Sequence, residues 1–386
     1  MKTYRVVVLG CRGRGTAAAR AYYQHPRTEL VGLCDLLPER LETLGEEVEV
    51  TARFDDFHKM IEETGPDIVA IPTGTEFHYD LSMQVMAHGV HIDVEKPMCT
   101  SLAEADDMLA RAGDKGVQIA VHHQGRTSAS MVAVTRAIEE GRIGRPRYIW
   151  GSGKGYYAGY GLMNIGTHML NAMLRVGGHA RSVSATALTD GRPVEPGDVI
   201  QAAGGMGIIA GEHITATLDF ESGITGTLLQ HRFPKVDVTA YLMEVYGTEG
   251  RLIWKTSNAW YAPVPHLAPG VEGGEWEELE LSFADSYGPA GPASEADYGY
   301  VDEYVNALDE GREHQCSGIE GAHILELMMG IFESGAYGQR VELPQRERQI
   351  HPLLRWRREA GLEDPPAVPR PYGEWLEAED RRLGRT

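Results

Sequence analysis

Val94-Glu95-Lys96-Pro97 follows an apolar stretch and holds a lysine tightly between an acid and an imino acid. Far upstream lies a glycine-rich loop, Gly10-Cys11-Arg12-Gly13-Arg14-Gly15. Glycines so spaced let backbone N–H groups approach a pyrophosphate at the positive end of a helix. A lysine ending a later strand of the same unit then brings a cation to where a nicotinamide ring and a reacting hydroxyl meet. The pair points to hydride transfer. Oxidising a secondary alcohol takes a proton from oxygen while hydride leaves carbon. Lys96 would steady the developing alkoxide, and a histidine titrating near ~6.5 can take the proton.

Asp35 closes the second expected strand. A carboxylate there accepts hydrogen bonds from ribose hydroxyls and repels a 2′-phosphate, so NAD is preferred over NADP. Arg12 stands where the second glycine of a G-x-G-x-x-G loop would be, with Gly13 following. Arg12 and Arg14 are placed to reach phosphate, and their charge keeps NADP open.

Lys154-Gly155-Tyr156-Tyr157-Ala158-Gly159-Tyr160-Gly161 precedes Asn164 and is rich in donors. Lys154, Tyr156 and Asn164 are candidates to line a sugar pocket, although tyrosines equally suit sheet packing. Arg126, just past the last strand of the first unit, is a candidate for a hydroxyl-rich or carboxylated ligand. His122 and His123 are adjacent, so on a strand they point to opposite faces and would not chelate together. No metal site and no Ser or Cys nucleophile is read from the spacing.

These residues need a scaffold. From residue 4 to about 122, apolar strands (5–9, 30–34, 68–71, 91–94, 118–122) alternate with helix-period segments (16–24, 56–63, 79–88, 102–115). That alternation predicts a parallel α/β sheet. Beyond His123 the pattern predicts a helix over 128–140 and strands over 147–153, 182–187, 214–220, 224–231, 241–247, 251–256 and 276–283. Helices return at 300–311 and 319–334, with a closing strand near 340–343. Glu221-Ser222-Gly223 reads as a hairpin turn. The fold class is therefore α/β: an N-terminal doubly wound parallel sheet of Rossmann type, then an α/β domain with an open, mainly antiparallel sheet. Residues 1–122 are assigned to nucleotide binding, 123–344 to substrate binding and oligomerisation, and 345–386 to a tail. Leu353, Leu354, Trp356, Tyr372 and Trp375 favour docking of that tail.

Composition narrows the function. A formal charge of −20 argues against a nucleic-acid or anionic-membrane surface. No apolar run approaches the roughly 18–20 residues of a membrane span, and the N-terminus lacks a secretion signal, so the expected compartment is the cytoplasm. Cys11, Cys34, Cys99 and Cys316 show no metal spacing and are expected as buried thiols. Ile, Leu and Phe alternate over 214–231. They are read as the outer face of the open sheet, and such a face finds a partner, which predicts a homodimer or homotetramer.

Taken in order, the loop 10–15, Asp35, Pro72-Thr73 with His78, Glu95-Lys96-Pro97 and Asn164-Ile165-Gly166-Thr167-His168 resemble the Gfo/Idh/MocA family of glucose–fructose oxidoreductase and inositol 2-dehydrogenase. The resemblance runs from about residue 4 to 343. It implies NAD(P)-dependent chemistry on sugars, cyclitols and related polyols, with Lys96 at the reacting oxygen and His168 as base or substrate ligand. It also implies that Pro72, Thr73 and His78 lie at the cofactor, with His78 alternatively capping the next helix; Glu95, counted with them, orients Lys96 or braces its loop. Relatives usually carry Asp four residues before this histidine, whereas this chain has Asn164. An amide can bind a hydroxyl but cannot accept a proton. Three readings follow: a dehydrogenase of a sugar, cyclitol or glycoside; a redox-neutral glycoside-cleaving enzyme holding NAD; and a non-catalytic NAD-bound sensor.

Overall fold

The protein is described by a computed structural model over residues 2–266 and 274–385. Its chain divides into two compact units: Met1–Cys99, Glu104–Ala129 and Ser282–Ala322 form one, and Thr100–Ala103, Ser130–Leu281 and His323–Thr386 the other. Among the described residues no helix is long and apolar enough to cross a membrane.

In the first unit β1 (Tyr4–Leu9), α1 (Arg14–Gln24), β2 (Thr28–Cys34), α2 (Pro38–Glu47), β3 (Arg53–Phe54), α3 (Phe57–Thr64), β4 (Ile68–Ile71), α4 (His78–Ala87), β5 (His91–Val94), α5 (Leu102–Lys115) and β6 (Ile119–Val121) succeed one another. The strands form a six-stranded parallel sheet in the order β3-β2-β1-β4-β5-β6. Every residue of β4 is buried, as expected for a strand covered on both faces. The strand order reverses between β1 and β4. Ligands of doubly wound sheets bind at the carboxyl ends flanking such a reversal, which here are the loop 10–15 and Pro72-Thr73. Helix α2 and strand β3 escape the sequence reading. Only Leu41 and Leu44 supply apolar side chains to α2, Pro38 reads as a turn, and the two residues of β3 cannot show an alternation.

The second unit contains α6 (Ala129–Glu139), β7 (Pro146–Ser152), α7 (Ala158–Gly161), α8 (Thr167–Gly177), β8 (Ala180–Thr189), β9 (Arg192–Pro193), β10 (Ile200–Gln201), β11 (Ile208–Ile209), β12 (His213–Phe220), β13 (Thr225–His231), β14 (Leu242–Gly247), β15 (Arg251–Lys255), β16 (Asn258–Ala262) and β17 (Glu277–Glu278). The chain then returns to the first unit, where α9 (Glu295–Glu310) buries Tyr298, Tyr300, Val301, Tyr304 and Val305 in the core cluster that holds Val6, Leu33 and Ile68. Helix α10 (Gly318–Tyr337), β18 (Val341–Glu342), α11 (Pro352–Glu359) and α12 (Tyr372–Arg382) complete the chain. The units thus divide differently from the expected boundaries. Residues 282–322 belong with the first unit, and 345–385, which include α11 and α12, belong with the second.

Among the described residues the second unit's main sheet has ten strands in the order β17-β16-β15-β14-β7-β13-β12-β8-β18, with β9 paired to β8, and only β7 and β13 run parallel. The hairpin at Glu221-Ser222-Gly223 joins β12 to β13, and Gly223 takes the left-handed φ of 82° the turn needs. One expectation is corrected here. Ile214, Leu218 and Phe220 are 0–1 % exposed, so the apolar alternation faces the unit's own interior and needs no partner subunit. Helix α8 lies on that side. A Cβ on Gly151 would sit 2.7 Å from Met169, on Gly226 2.8 Å from Met173, and on Gly177 2.7 Å from Phe220.

Candidate active site

The cofactor half lies wholly within the first unit. Gly10 adopts φ 108°, and a Cβ on Gly15 would fall 1.9 Å from the Gly10 carbonyl oxygen. The loop therefore closes on itself only because both residues lack side chains. A Cβ on Gly10 would lie 3.4 Å from the Pro72 carbonyl, which sets the loop against the end of β4. Gly13 caps α1 without a side-chain hydrogen bond, and the first turn carries no acid. An anion is the natural partner of such a helix start. Arg12 is exposed.

Asp35 is braced. Its Oδ2 accepts the Cys11 N–H at 2.8 Å and its Oδ1 the Leu37 N–H at 3.0 Å, with Arg40 3.9 Å away. Two backbone donors use half of a carboxylate's acceptor capacity, which leaves sites for ribose hydroxyls. The Thr73 hydroxyl oxygen is buried with no protein partner, so a polar group from outside the chain suits it. These features fit a dinucleotide.

Arg14 does something else. Its Nε donates to Glu95 Oε1 and its Nη2 to Asp297 Oδ1, both at 2.6 Å. Glu95, 7 % exposed, also accepts the Lys96 N–H through Oε2 at 3.1 Å. A chain of bonds thus runs from the cofactor loop's helix to the backbone of Lys96. From Asp297 it continues inward: His122 Nε2 meets Asp297 at 3.1 Å, His122 Nδ1 meets Asp93 at 3.1 Å, and Tyr22 and Tyr300 donate to Asp93 at 2.9 and 3.0 Å. Burial opposes charge on His122, yet Asp93 and Asp297 outweigh it and push this histidine up to about 10. Asp93 and Asp297 are held below the usual carboxylate range against their burial, above all by His122.

His78 pins the other side of Lys96. It is 1 % exposed, with Nδ1 2.8 Å from the Pro97 carbonyl and Nε2 3.2 Å from that of Thr73. Burial lowers its pKa, which keeps the ring neutral. The Lys96–Pro97 peptide is cis. His123 is also buried, and burial together with the Lys96 charge drives its pKa well below the ordinary value. Neither His122 nor His123 is thus suited to trade protons near neutrality. Arg126 is engaged by Glu320 at 3.0 Å, its side chain 11 % exposed.

The other candidate residues, Lys154, Tyr156, Asn164 and His168, lie in the second unit. Asn164 sits in a π-helical turn, Leu162–Gly166, that leads directly into α8 and His168. Such turns are rare and often mark functional sites. The Asn164 amide donates to the Tyr160 hydroxyl at 3.2 Å. Burial chiefly, with neighbouring Tyr156 and Tyr372, pushes Tyr160 up to about 12, so it stays a neutral phenol. Tyr156 stacks edge-on to Tyr160 at 5.5 Å. Lys154 lies 5.5 Å over the Tyr241 ring, and burial lowers its pKa.

Two groups escaped the sequence reading: Asp297, which anchors Arg14 and His122 from far downstream, and Gln230. Its amide fills space that Gly153 and Gly161 leave open, 2.3 and 3.0 Å from where their Cβ atoms would be. No local pattern signals either.

Comparison with known proteins identifies the family. Residues 4–123 match the model described as an oxidoreductase family with an NAD-binding Rossmann fold, and residues 131–253 match the GFO/IDH/MocA C-terminal domain. The chain is similar to D-apiose dehydrogenase of Paraburkholderia graminis, 26% identical over 385 residues, covering 90% of this chain and 92% of that one. Glycosyl hydrolase family 109 protein 1 of Bacteroides thetaiotaomicron is 33% identical over 113 residues, only 27% of this chain and 24% of that protein. Among solved structures, levoglucosan dehydrogenase in complex with NADH and levoglucosan shares the fold at TM-score 0.72 and 18% identity, over 89% of this chain and 100% of that one.

Proposed function

Because this chain belongs to the Gfo/Idh/MocA family of NAD-binding oxidoreductases, we propose that it moves hydride between the nicotinamide and a secondary alcohol of a sugar, cyclitol or glycoside. The observation that carries this reading is the fastening of Lys96. Glu95 holds its N–H at 3.1 Å, Arg14 holds Glu95 at 2.6 Å, and His78 bonds the next residue's carbonyl at 2.8 Å. A solvated lysine needs no such frame, whereas a group that must meet a reacting atom does.

Gly10, Arg12, Gly13, Gly15, Asp35, Pro72 and Thr73 would hold the dinucleotide, which supplies the hydride acceptor when bound. Arg14, Glu95 and His78 act on the reaction through the Lys96 loop. Lys96 stabilises the alkoxide as it forms, and His168 takes the hydroxyl proton. Asn164, Tyr156 and Lys154 orient the other hydroxyls. Asn164 cannot assist His168 by charge, which places more of the demand on Lys96. NAD is favoured over NADP by Asp35, although Arg40 at 3.9 Å softens that preference.

The test is reduced-nicotinamide formation with NAD and a panel of sugars, cyclitols and glycosides. Accumulation in proportion to one substrate supports the reading. Lys96→Ala should then lower turnover at least about a hundredfold and leave NAD affinity within about twofold. Near-normal turnover would refute the role of Lys96. A second reading is favoured by Asn164 and by the partial match to a glycosyl hydrolase. Release of sugar from a glycoside without net NADH would establish that redox-neutral cycle instead.

A further inference from the structure

We propose that the C-terminal segment, residues 345–385, is a specificity element of the substrate half, with Tyr372 as the residue that meets the substrate's ring. The inference rests on the reading above that Asn164 and its neighbours bind substrate. The segment lies outside both matched family domains.

Three sets of contacts carry it. The Tyr372 ring lies 4.6 Å from that of Tyr160 and 5.1 Å from that of Tyr156, meeting the latter at 87°. Tyr160 is the partner of Asn164, so Tyr372 extends the aromatic surface that begins at the π turn. The Tyr372 hydroxyl also accepts the Tyr157 N–H at 2.9 Å and fixes the entry to α7. Tyr156, Tyr160, Asn164 and Tyr372 all remain partly exposed, so this surface is not sealed.

The segment is locked in place. Trp375 is 1 % exposed and donates to the Gln201 carbonyl at 2.9 Å, while Glu379 accepts the Tyr157 hydroxyl at 3.1 Å. Further along, Arg232 grips Asp380 with two bonds of 2.7 Å, and Arg385 reaches Glu212 at 2.6 Å. A tail docked only to cover apolar surface would need Trp375 alone. Anchoring on both sides of α12 instead holds the helix's first residue, Tyr372, at a fixed distance from Asn164. Aromatic rings present a flat apolar face that suits the C–H face of a pyranose or cyclitol, and their pair energies are worth several-fold in affinity.

The experiment is steady-state kinetics of the full chain, saturated with NAD, on cyclic sugars and cyclitols and on short acyclic polyols. Tyr372→Ala should raise KM for ring substrates about fivefold to tenfold, leave kcat within about threefold, and barely change KM for acyclic polyols. Tyr372→Phe, which restores the ring, should bring KM back within about twofold. Asp380→Ala combined with Arg385→Ala loosens the anchor at the other end of α12 and should reproduce the Tyr372→Ala pattern, with faster proteolysis of the segment. An unchanged ranking of substrates in Tyr372→Ala overturns the proposal, as does an unchanged ranking once the segment is demonstrably released. Failure of the underlying reading shows separately, as turnover that survives Lys96→Ala. If wild-type protein turns over none of the panel, the same comparison is made by calorimetric titration of the NAD-loaded protein. Equal binding by wild type and Tyr372→Ala, or none, overturns it.

Discussion

His122 shows how far one side chain's surroundings can reverse its ordinary behaviour. Imidazole normally titrates near ~6.5, yet this ring is 2 % exposed and stands between Asp93 and Asp297, each bonded at 3.1 Å. Because its folded pKa is raised to about 10, its contribution to stability is complete below about 6.5 and is lost as pH climbs toward the folded value. Asp93 and Asp297 are depressed, so their share is present above about 4 and lost as acid drives pH through their folded values. These are two views of one interaction, counted once. Thermal midpoints should therefore hold steady at mildly acidic pH and fall from pH 7 to pH 10. His122→Gln should flatten that alkaline fall and cost about 3–5 kcal/mol at pH 6, since two buried carboxylates lose their cation. An equal alkaline slope in the variant would place the effect elsewhere. Local sequence could place Asp35 just past β2 and Lys96 just past β5, because each strand is an apolar run that stops beside a loop with a recognisable pattern. It could not reveal that Arg14 turns from phosphate toward Glu95 and Asp297, because the second acid lies 283 residues away.

Close approach between backbones governs the elements. Helix α1 can begin at Arg14 only because Gly15 has no Cβ to meet the Gly10 carbonyl 1.9 Å away. The obstacle there is backbone, which cannot swing aside as a side chain would. Gly15→Ala should therefore displace the loop, weaken NAD binding at least about tenfold and leave the sheet folded. Calorimetric titration with NAD, beside an unchanged far-ultraviolet circular dichroism spectrum, checks this. Wild-type affinity would mean that the loop yields without losing its contacts. The same logic explains what was legible at this scale. Strands covered on both faces, such as β4 and β5, read as apolar runs, and the Gly223 turn read as a hairpin. Helix α2 did not, because Leu41 and Leu44 alone carry its buried apolar side and Pro38 at its start reads as a turn.

At the scale of the molecule, the sequence carries no mark that residues 282–322 return to the first unit, since a helix has the same period whichever core it serves. The alternation over 214–231 misled for a related reason: a period of two says that one face is apolar, but not which side of the sheet is covered. The structure turns Ile214, Leu218 and Phe220 inward. The opposite face carries Thr217, Thr227 and Trp150 in one register row, with Tyr148 and Tyr246 5.5 Å apart beside them. Trp150, Tyr148 and Tyr246 are half-buried in the single chain, and aromatic side chains of this kind are enriched in interface cores. If the chain associates through its sheet, this is the face that serves. Light scattering should then give a mass of at least twice 42.4 kDa, and Trp150→Glu should return it to that of one chain. Each chain carries a formal charge of −20, so like-charge repulsion opposes the pairing. Salt screens that repulsion over about 10 Å at 0.1 M and leaves apolar burial untouched. Dissociation should accordingly be easier at low ionic strength than at 0.5 M salt. A mass that falls as salt rises would show that ion pairs, rather than this aromatic face, hold the chains together.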